Sequence, residues 1–212
     1  MPYEFANIEE VLKYRDRALS ENIDSLYLKA KQIASDYNDQ KKEKISLLAI
    51  EIIASYFQDR FPTTHYDIVT GGNGSGKSTY GGTFTGVGYR VVNLTDPNAA
   101  NINRILGCIE AGQSSIVSDE TVAIEKQPDL LSLLKTGYSP TGKTSKINDF
   151  SRAPEFFYTY CFKMIISERM TNLRDARGVV DRSFSFTTYK GLPKYDIKEK
   201  WSHKEIRRVS TD

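Results

Sequence analysis

The first sixty residues carry apolar side chains at helical spacing. Apolar residues recur on one helix face in the third segment, at Ile45, Leu48, Ala49, Ile52, Ile53, Tyr56 and Phe57. The preceding stretch SDYNDQKKEK supplies cap and turn residues, and Pro62 ends the pattern. We therefore predict an N-terminal helical region of two or three helices over residues 1–62.

From Tyr66 onward the pattern changes to short apolar runs separated by glycine and polar turns. The runs are YDIV, YRVVNL, SSIVS, CFKMIIS and SFSFTTY, and helix-length segments such as residues 99–111 and 129–135 lie between them. This alternation is typical of a parallel sheet with crossover helices. We predict an α/β core over residues 63–190, followed by a basic tail over residues 191–212.

The composition is that of a globular protein with one core. The chain has 212 residues, of which 39% are hydrophobic and 26% charged. No apolar run approaches the roughly 18 residues of a membrane span, and the start MPYEFANIEE does not resemble a signal peptide, so we expect a cytoplasmic protein without membrane contact. Cys108 and Cys161 lack neighbours at metal-ligand spacing, so we interpret both as buried apolar residues.

Charge is distributed unevenly along the chain. Residues 1–134 contain 13 basic and 18 acidic side chains, whereas residues 135–212 contain 16 basic and 9 acidic ones. A basic C-terminal third is compatible with a polyanionic partner and equally with a solvated face.

The stretch DIVTGGNGSGKSTYGG, residues 67–82, contains the phosphate-binding loop pattern and has a predicted strand before it. Glycines allow successive backbone N–H groups to approach phosphate oxygens, Lys77 reaches the β and γ phosphates, and the Ser78 hydroxyl is a ligand for Mg²⁺. We expect ATP and Mg²⁺ as ligands. The predicted nucleotide-binding residues are Gly71, Gly72, Asn73, Gly74, Ser75, Gly76, Lys77, Ser78 and Thr79.

Hydrolysis needs a carboxylate for the metal and a base for water, and the stretch SSIVSDE offers both at the end of a strand. We predict that Asp119 joins Ser78 at the metal and that Glu120 is the catalytic base; a surface acidic pair is the alternative. The pair favours the ATPase branch in which another strand separates the two motifs. FKMIIS would be that branch's fourth strand, with Ser167 as a catalytic polar sensor or an ordinary strand cap.

The succession of motifs resembles a known family. After the phosphate loop come IVSDE, LLKTGYSPTGKTSKIN, FFYTYCFKMIISER and GVVDRSFSF. This order is similar to the AAA+ and superfamily-3-like ATPase modules of archaeal virus, phage or plasmid primase-helicases, over about residues 66–190. The resemblance implies a P-loop NTPase fold of the ASCE/AAA+-like type with a five-stranded parallel sheet. It also implies a homo-oligomeric ring, such as a hexamer, that moves on DNA.

Further site residues follow from the resemblance. Arg182 matches the catalytic arginine finger that reaches a neighbouring subunit's ATP, with a surface ion pair to Asp181 as the alternative. The stretch TGYSPTGKTSKIN matches the nucleic-acid-binding loop, where Lys143 and Lys146 would contact phosphates and Tyr138 would stack on a base. A solvated loop is the alternative interpretation.

Several functions remain open at the level of sequence. We favour a Mg²⁺-dependent ATPase that acts on DNA during replication of a virus or mobile element, in the host cytoplasm if viral. A genome-packaging ATPase would use the same ATP site, and a nucleotide-gated regulatory module would hydrolyse ATP slowly without DNA stimulation. A small-molecule kinase is less favoured. Only 23 residues follow Tyr189, too few for the helical lid of AAA+ proteins, so we expect a reduced relative, a subunit or a fragment.

Overall fold

A computed structural model of the chain describes residues 6–95, 97–107, 109–119, 127–147, 152–168 and 176–195. Three predicted features lie outside these ranges: Cys108, Glu120 and the larger part of the basic tail, residues 196–212.

The described residues form seven helices and seven strands, which alternate only from residue 66 to residue 147 and again from residue 162 to residue 187. The helices are α1 (Ile8–Ser20), α2 (Ile23–Tyr37), α3 (Lys42–Ser55), α4 (Lys77–Val87), α5 (Ala99–Gly107), α6 (Pro128–Thr136) and α7 (Arg177–Val180). The strands are β1 (Tyr66–Thr70), β2 (Val91–Thr95), β3 (Ser115–Asp119), β4 (Lys143–Ile147), β5 (Pro154–Tyr158), β6 (Phe162–Ser167) and β7 (Ser183–Thr187). A single 3₁₀ turn, Gln58–Arg60, follows α3.

The N-terminal region consists of three helices, as the apolar spacing predicts. Asparagine side chains cap the first two: Asn7 Oδ1 accepts the N–H of Glu10 at 2.9 Å, and Asn22 Oδ1 accepts that of Ser25 at 2.8 Å. Helix α3 buries Ile45, Leu48, Ala49 and Ile52 of the predicted apolar face, whereas Tyr56 and Phe57 follow the helix and are exposed. Helix α1 has no buried residue. The helical region is therefore anchored to the rest of the molecule mainly through α2 and α3.

Five strands form one parallel sheet in the order β2–β3–β6–β1–β7. These are the five apolar runs of the sequence, so the predicted five-stranded α/β fold of the P-loop NTPase type is confirmed. Strand β6 lies between β1 and β3, as expected for the fourth strand of the ATPase branch. Two points differ from the prediction. Helix α5 ends at Gly107, short of residue 111. The predicted loop over residues 136–148 contains β4, which pairs with β5 in a separate antiparallel hairpin.

Both faces of the sheet are covered by helices, which explains why its central strands are buried along their whole length. One apolar cluster joins α2, α3 and α4 to one face, and a second joins α5, α6 and α7 to the other. We call the edge where the sheet strands begin the amino edge and the edge where they end the carboxyl edge. None of the helices in the described part of the chain is long and apolar enough to cross a membrane.

Two carboxyl groups lie inside the first cluster, between α3 and β1. Glu51 and Asp67 are 2% and 0% exposed. Burial raises the pKa of Glu51 to about 8 and raises the pKa of Asp67 well above its usual value, and Glu51 adds to the rise at Asp67. Burial also lowers the pKa of the neighbouring His65.

A buried glutamine links the end of α3 to the sheet. Gln58 donates through Nε2 to Ser115 Oγ at 2.7 Å, and its Oε1 accepts the backbone N–H of Phe162 at 2.6 Å. The side chain thus holds the first residues of β3 and β6 together, where both strands enter the sheet.

We predict that Gln58→Ala lowers the free energy of unfolding by about 2–3 kcal/mol, because it leaves two buried polar groups without their partner. Urea denaturation measures the loss. Gln32→Ala is the control: Gln32 bonds Asp36 on the exposed surface of α2, and its replacement should change the stability by less than about 0.5 kcal/mol. Equal effects of the two substitutions would contradict the role of Gln58.

Candidate functional site

The carboxyl edge of the sheet collects most of the predicted site residues. Strands β1, β3 and β6 end there at Thr70, Asp119 and Ser167. The register pairs Thr70 with Ser167 directly, and the phosphate loop, residues 71–78, begins immediately after Thr70. The order of the strands therefore gathers residues that are almost a hundred positions apart in the sequence.

The phosphate loop has the backbone that its glycines allow. Gly74 and Gly76 have φ angles of +73° and +83°, which residues with a Cβ rarely adopt. Gly71 is constrained differently: a Cβ there would overlap the Ser75 hydroxyl and lie 2.6 Å from Thr188 Oγ1. The Gly76 N-cap of α4 makes no side-chain capping bond, so the first N–H groups of this helix are available to an anion.

Lys77 and Ser78 are the first two residues of α4, where Lys77 is half-buried and Ser78 is exposed. Lys77 Nζ donates to the Gly72 carbonyl over a long 3.4 Å. Ser78 Oγ lies 3.5 Å from Asp119 Oδ1. A hydroxyl and a carboxylate at this separation provide two hard oxygen ligands on adjacent sides of one small cation, so these residues fit Mg²⁺. The predicted base, Glu120, lies outside the described residues.

Ser167, the last residue of β6, also lies at the carboxyl edge of the sheet. It is buried, and it lies in the strand that separates β1 from β3. A polar residue at the end of this strand is therefore next to the start of the phosphate loop.

The sequence did not identify a pocket beside the phosphate loop. Residues 188–195, which we call the C-terminal strap, run from the end of β7 past the loop to the end of α2. Gln40 makes two bonds to this strap, from Nε2 to the Tyr189 carbonyl at 2.8 Å and from the Tyr189 N–H to Oε1 at 3.2 Å. Asp39 Oδ2 accepts the N–H of Leu192 at 2.9 Å. A pocket of about 180 Å³ is lined by residues 37–40, by the C-terminal strap and by residues 74–76 and 79 of the phosphate-binding region.

The nucleic-acid-binding loop predicted from the resemblance, residues 136–148, contains strand β4 of the β4–β5 hairpin. Lys143 pairs with Tyr158, and Ser145 pairs with Phe156, so these residues share one face. On this face Phe156 and Tyr158 are exposed, and Lys143 Nζ lies 4.6 Å from the centre of the Tyr158 ring. Lys146 pairs with Glu155 and therefore lies on the opposite face from Lys143. The sequence missed the two aromatic residues, although the run FFYTY carries them.

The hairpin is attached to the sheet by a buried lysine. Lys163 of β6 is 1% exposed, and its Nζ donates to the carbonyl oxygens of Thr159 at 2.8 Å, Cys161 at 3.0 Å and Gly137 at 3.4 Å. Burial lowers the pKa of this ammonium group. Because Gly137 and Thr159 flank the hairpin, Lys163 fixes its base at the amino edge.

Arg182 and Tyr138 lie together at the amino edge, away from the phosphate loop. Arg182 precedes β7, its guanidinium carbon stands 3.9 Å from the centre of the Tyr138 ring, and Nη1 donates to the Lys135 carbonyl at 3.2 Å. Tyr138 also packs against the second apolar cluster. Arg182 thus covers one face of the Tyr138 ring. Tyr138 precedes β4 and does not belong to the exposed face of the hairpin.

No family model and no curated protein matches the chain. Solved structures that are similar to it include the following two. A mutant of RuvB from Thermotoga maritima is 16% identical over 70% of this chain and 45% of that one, with a TM-score of 0.44. Hsp104 of S. cerevisiae in complex with ADP is 14% identical over 76% of this chain and 31% of that one, with a TM-score of 0.46. The chain spans less than half the length of each, and likenesses this distant extend to neither activity nor partners.

The glycines of the loop provide a matched pair for testing its geometry. We predict that Gly71→Ala lowers the free energy of unfolding by about 1–3 kcal/mol, because the new methyl group overlaps Ser75 and Thr188. Gly72→Ala is the control, since a Cβ at Gly72 meets nothing within 4 Å. Thermal and urea unfolding of both variants measure the difference, and equal stabilities would mean that the loop is not packed as described.

Proposed function

We propose that the protein is a Mg²⁺-dependent ATPase that acts on DNA as a helicase or translocase. The observation that carries the ATPase part is the convergence of the phosphate loop, the open N-terminus of α4, and the Ser78–Asp119 pair at one edge of the sheet. Phosphate oxygens would accept bonds from the backbone and from Lys77, whose position at the first turn of α4 suits the outer phosphates.

The catalytic roles follow from what each side chain can donate or accept. Ser78 and Asp119 would hold Mg²⁺, which when bound supplies positive charge against the phosphates. Glu120 would accept a proton from the attacking water, and Ser167 would donate a hydrogen bond to the terminal phosphate. The buried strand that ends at Ser167 supports this role because it fixes the backbone of Ser167 beside Thr70, the residue before the loop.

We assign the nucleoside to the pocket between Gln40, Thr79 and the C-terminal strap. The pocket adjoins the loop residues Gly74–Gly76, so a nucleotide with its phosphates on α4 can extend into it. Tyr189 lines this pocket and offers a partly exposed ring for stacking on a base.

The hairpin is the proposed contact with DNA. Its face with Lys143, Phe156 and Tyr158 combines a cation for phosphate with exposed rings for bases, the two elements of single-strand binding. Lys146, on the opposite face, would contribute less than Lys143. The likeness to replicative modules noted from the sequence supports a role in replication of viral or plasmid-like DNA. Genome packaging is the alternative that uses the same surfaces.

The finger role proposed for Arg182 would require a ring of identical subunits. Strand β7 separates it from the carboxyl edge by five residues, about 16 Å at 3.3 Å per residue, so Arg182 is remote from the phosphate loop of its own chain. An arginine finger at this position would therefore act on the ATP of a neighbouring subunit.

The first test concerns ATP turnover. Lys77→Ala should abolish Mg-ATP binding, measured by calorimetry, whereas Glu120→Gln should bind Mg-ATP and hydrolyse it about 10²–10⁴-fold more slowly, because water loses its base. Single-stranded or duplex DNA should stimulate the wild-type rate. Slow hydrolysis that DNA leaves unchanged would contradict the motor and favour a nucleotide-gated regulatory module.

The second test separates charge from stacking on the hairpin. Lys143→Ala should reduce the salt dependence of single-stranded DNA binding by about 0.7 in slope, since one phosphate contact is lost. Phe156→Ala should weaken binding by about 1–3 kcal/mol with the slope unchanged. Lys146→Ala is the matched control and should have the smaller effect. Fluorescence anisotropy over a range of salt concentrations provides the data, and equal behaviour of the two lysine variants would refute the assigned face.

The third test concerns Arg182. Arg182→Ala should keep ATP binding but lower hydrolysis by about 10³-fold or more, because a finger stabilises charge in the transition state. Arg177→Ala is the control, since Arg177 forms an exposed ion pair with Asp181 on the same segment. Mixing Arg182→Ala with Glu120→Gln subunits should restore part of the activity. Full activity of Arg182→Ala, or a monomer at working concentration, would argue against the ring.

A further inference from the structure

A histidine and two carboxylates converge between the helical region and the sheet, away from the proposed ATP site. Glu51 comes from α3, His65 precedes β1, and Asp67 is the second residue of β1. One ligand atom from each lies within 4.8 Å of the others, and His65 Nε2 is 3.2 Å from Glu51 Oε1. This is the group of metal-ligating side chains found within the described ranges.

Three of the four carboxylate oxygens lack the partners that buried charges need, and the fourth, Glu51 Oε1, faces His65. Both oxygens of Asp67 and Oε2 of Glu51 are buried and have no hydrogen-bond partner among the described residues. The surroundings are apolar: His65 lies edge-on to Phe162 and Phe184, with ring centres 5.3 and 4.9 Å away. A buried carboxylate in such a setting must be protonated, paired or bound to a cation, because isolated charge there is too costly.

We propose that Glu51, His65 and Asp67 bind one divalent transition-metal ion, for which Zn²⁺ is the probe. One imidazole nitrogen and two carboxylate oxygens are ligands of Zn²⁺ and its neighbours, whereas Mg²⁺ prefers oxygen alone. Three protein ligands leave a fourth position for water. The His65 side chain is 37% exposed, whereas that of Glu51 is 1% exposed, so an ion can enter past the imidazole.

The site would be a structural link. It would join α3 to the start of β1, the strand that leads directly into the phosphate loop, so the bound ion fixes the helical region against the sheet. The proposal is independent of the ATPase assignment, because the two sites lie at opposite ends of β1 and differ in their ligands.

The experiment uses the full chain, stripped by a chelator and kept free of nucleotide. Calorimetry should show one Zn²⁺ per chain, and Zn²⁺ should raise the unfolding temperature, whereas Mg²⁺ should not. Glu51→Gln, Asp67→Asn and His65→Ala should each weaken Zn²⁺ binding by about 100-fold or more, since loss of even a hydrogen-bond partner of a metal ligand costs about 10–100-fold. His203→Ala, which removes the chain's other histidine, and Asp119→Asn should bind Zn²⁺ as the wild type does.

A second readout is the unfolding temperature of Asp67→Asn compared with that of the wild type. Without metal, Asp67→Asn should unfold at the same or a higher temperature than the wild type, because the variant no longer holds two carboxyl groups side by side in a buried setting. With Zn²⁺ the wild type should be the more stable of the two. Absence of Zn²⁺ binding by the wild type would overturn the proposal and identify a carboxyl pair that shares a proton. Loss of binding in His203→Ala but not in His65→Ala would overturn it as well. If Asp67→Asn does not fold, Glu51→Gln and His65→Ala give the same decision.

Discussion

The pairing of β1 on both sides is the constraint on which the rest of the structure depends. This strand bonds to β6 along one edge and to β7 along the other, and its five residues are all buried. Because all three strands are parallel, their ends meet at one edge, where the chain must leave β1 through the glycines and turn into α4. The position of the loop, of Ser167 and of the C-terminal strap follows from this one arrangement.

Features encoded by neighbouring residues could be predicted from the sequence. The phosphate loop, the five sheet strands and helices α3 and α6 each depend on periodicity or on turn residues within a short window. The pocket beside the loop could not be predicted, because Gln40 and Tyr189 are 149 positions apart and neither belongs to a recognisable motif. The Glu51–His65–Asp67 group was missed for a related reason: Asp67 lies within an apolar run that predicts a strand, and its partner on α3 comes from another element.

Strand β4 of the hairpin could not be predicted from the pattern of apolar and polar residues. Strand β4 reads KTSKI, and four of its five residues are exposed, so the sequence offers no apolar alternation to reveal a strand. Its pairing depends instead on β5 and on contacts with α5, such as the bond from Thr144 Oγ1 to Asn103 Oδ1 at 2.9 Å. Pairing also decides which side chains share a face, and for this reason Lys143 and Lys146 could be named from the sequence but not separated.

Strand β6 contacts both the base of the β4–β5 hairpin and the start of the phosphate loop. Lys163, near its start, holds the carbonyl groups at the base of the hairpin, and Ser167, at its end, lies beside the phosphate loop. Four residues separate them, a distance of about 13 Å along an extended backbone. The strand is buried throughout and is bonded to a neighbour on each side, so it has no hinge that could absorb a displacement. We therefore expect a displacement of Lys163 at the hairpin base to move Ser167 with it, rather than to be absorbed within β6.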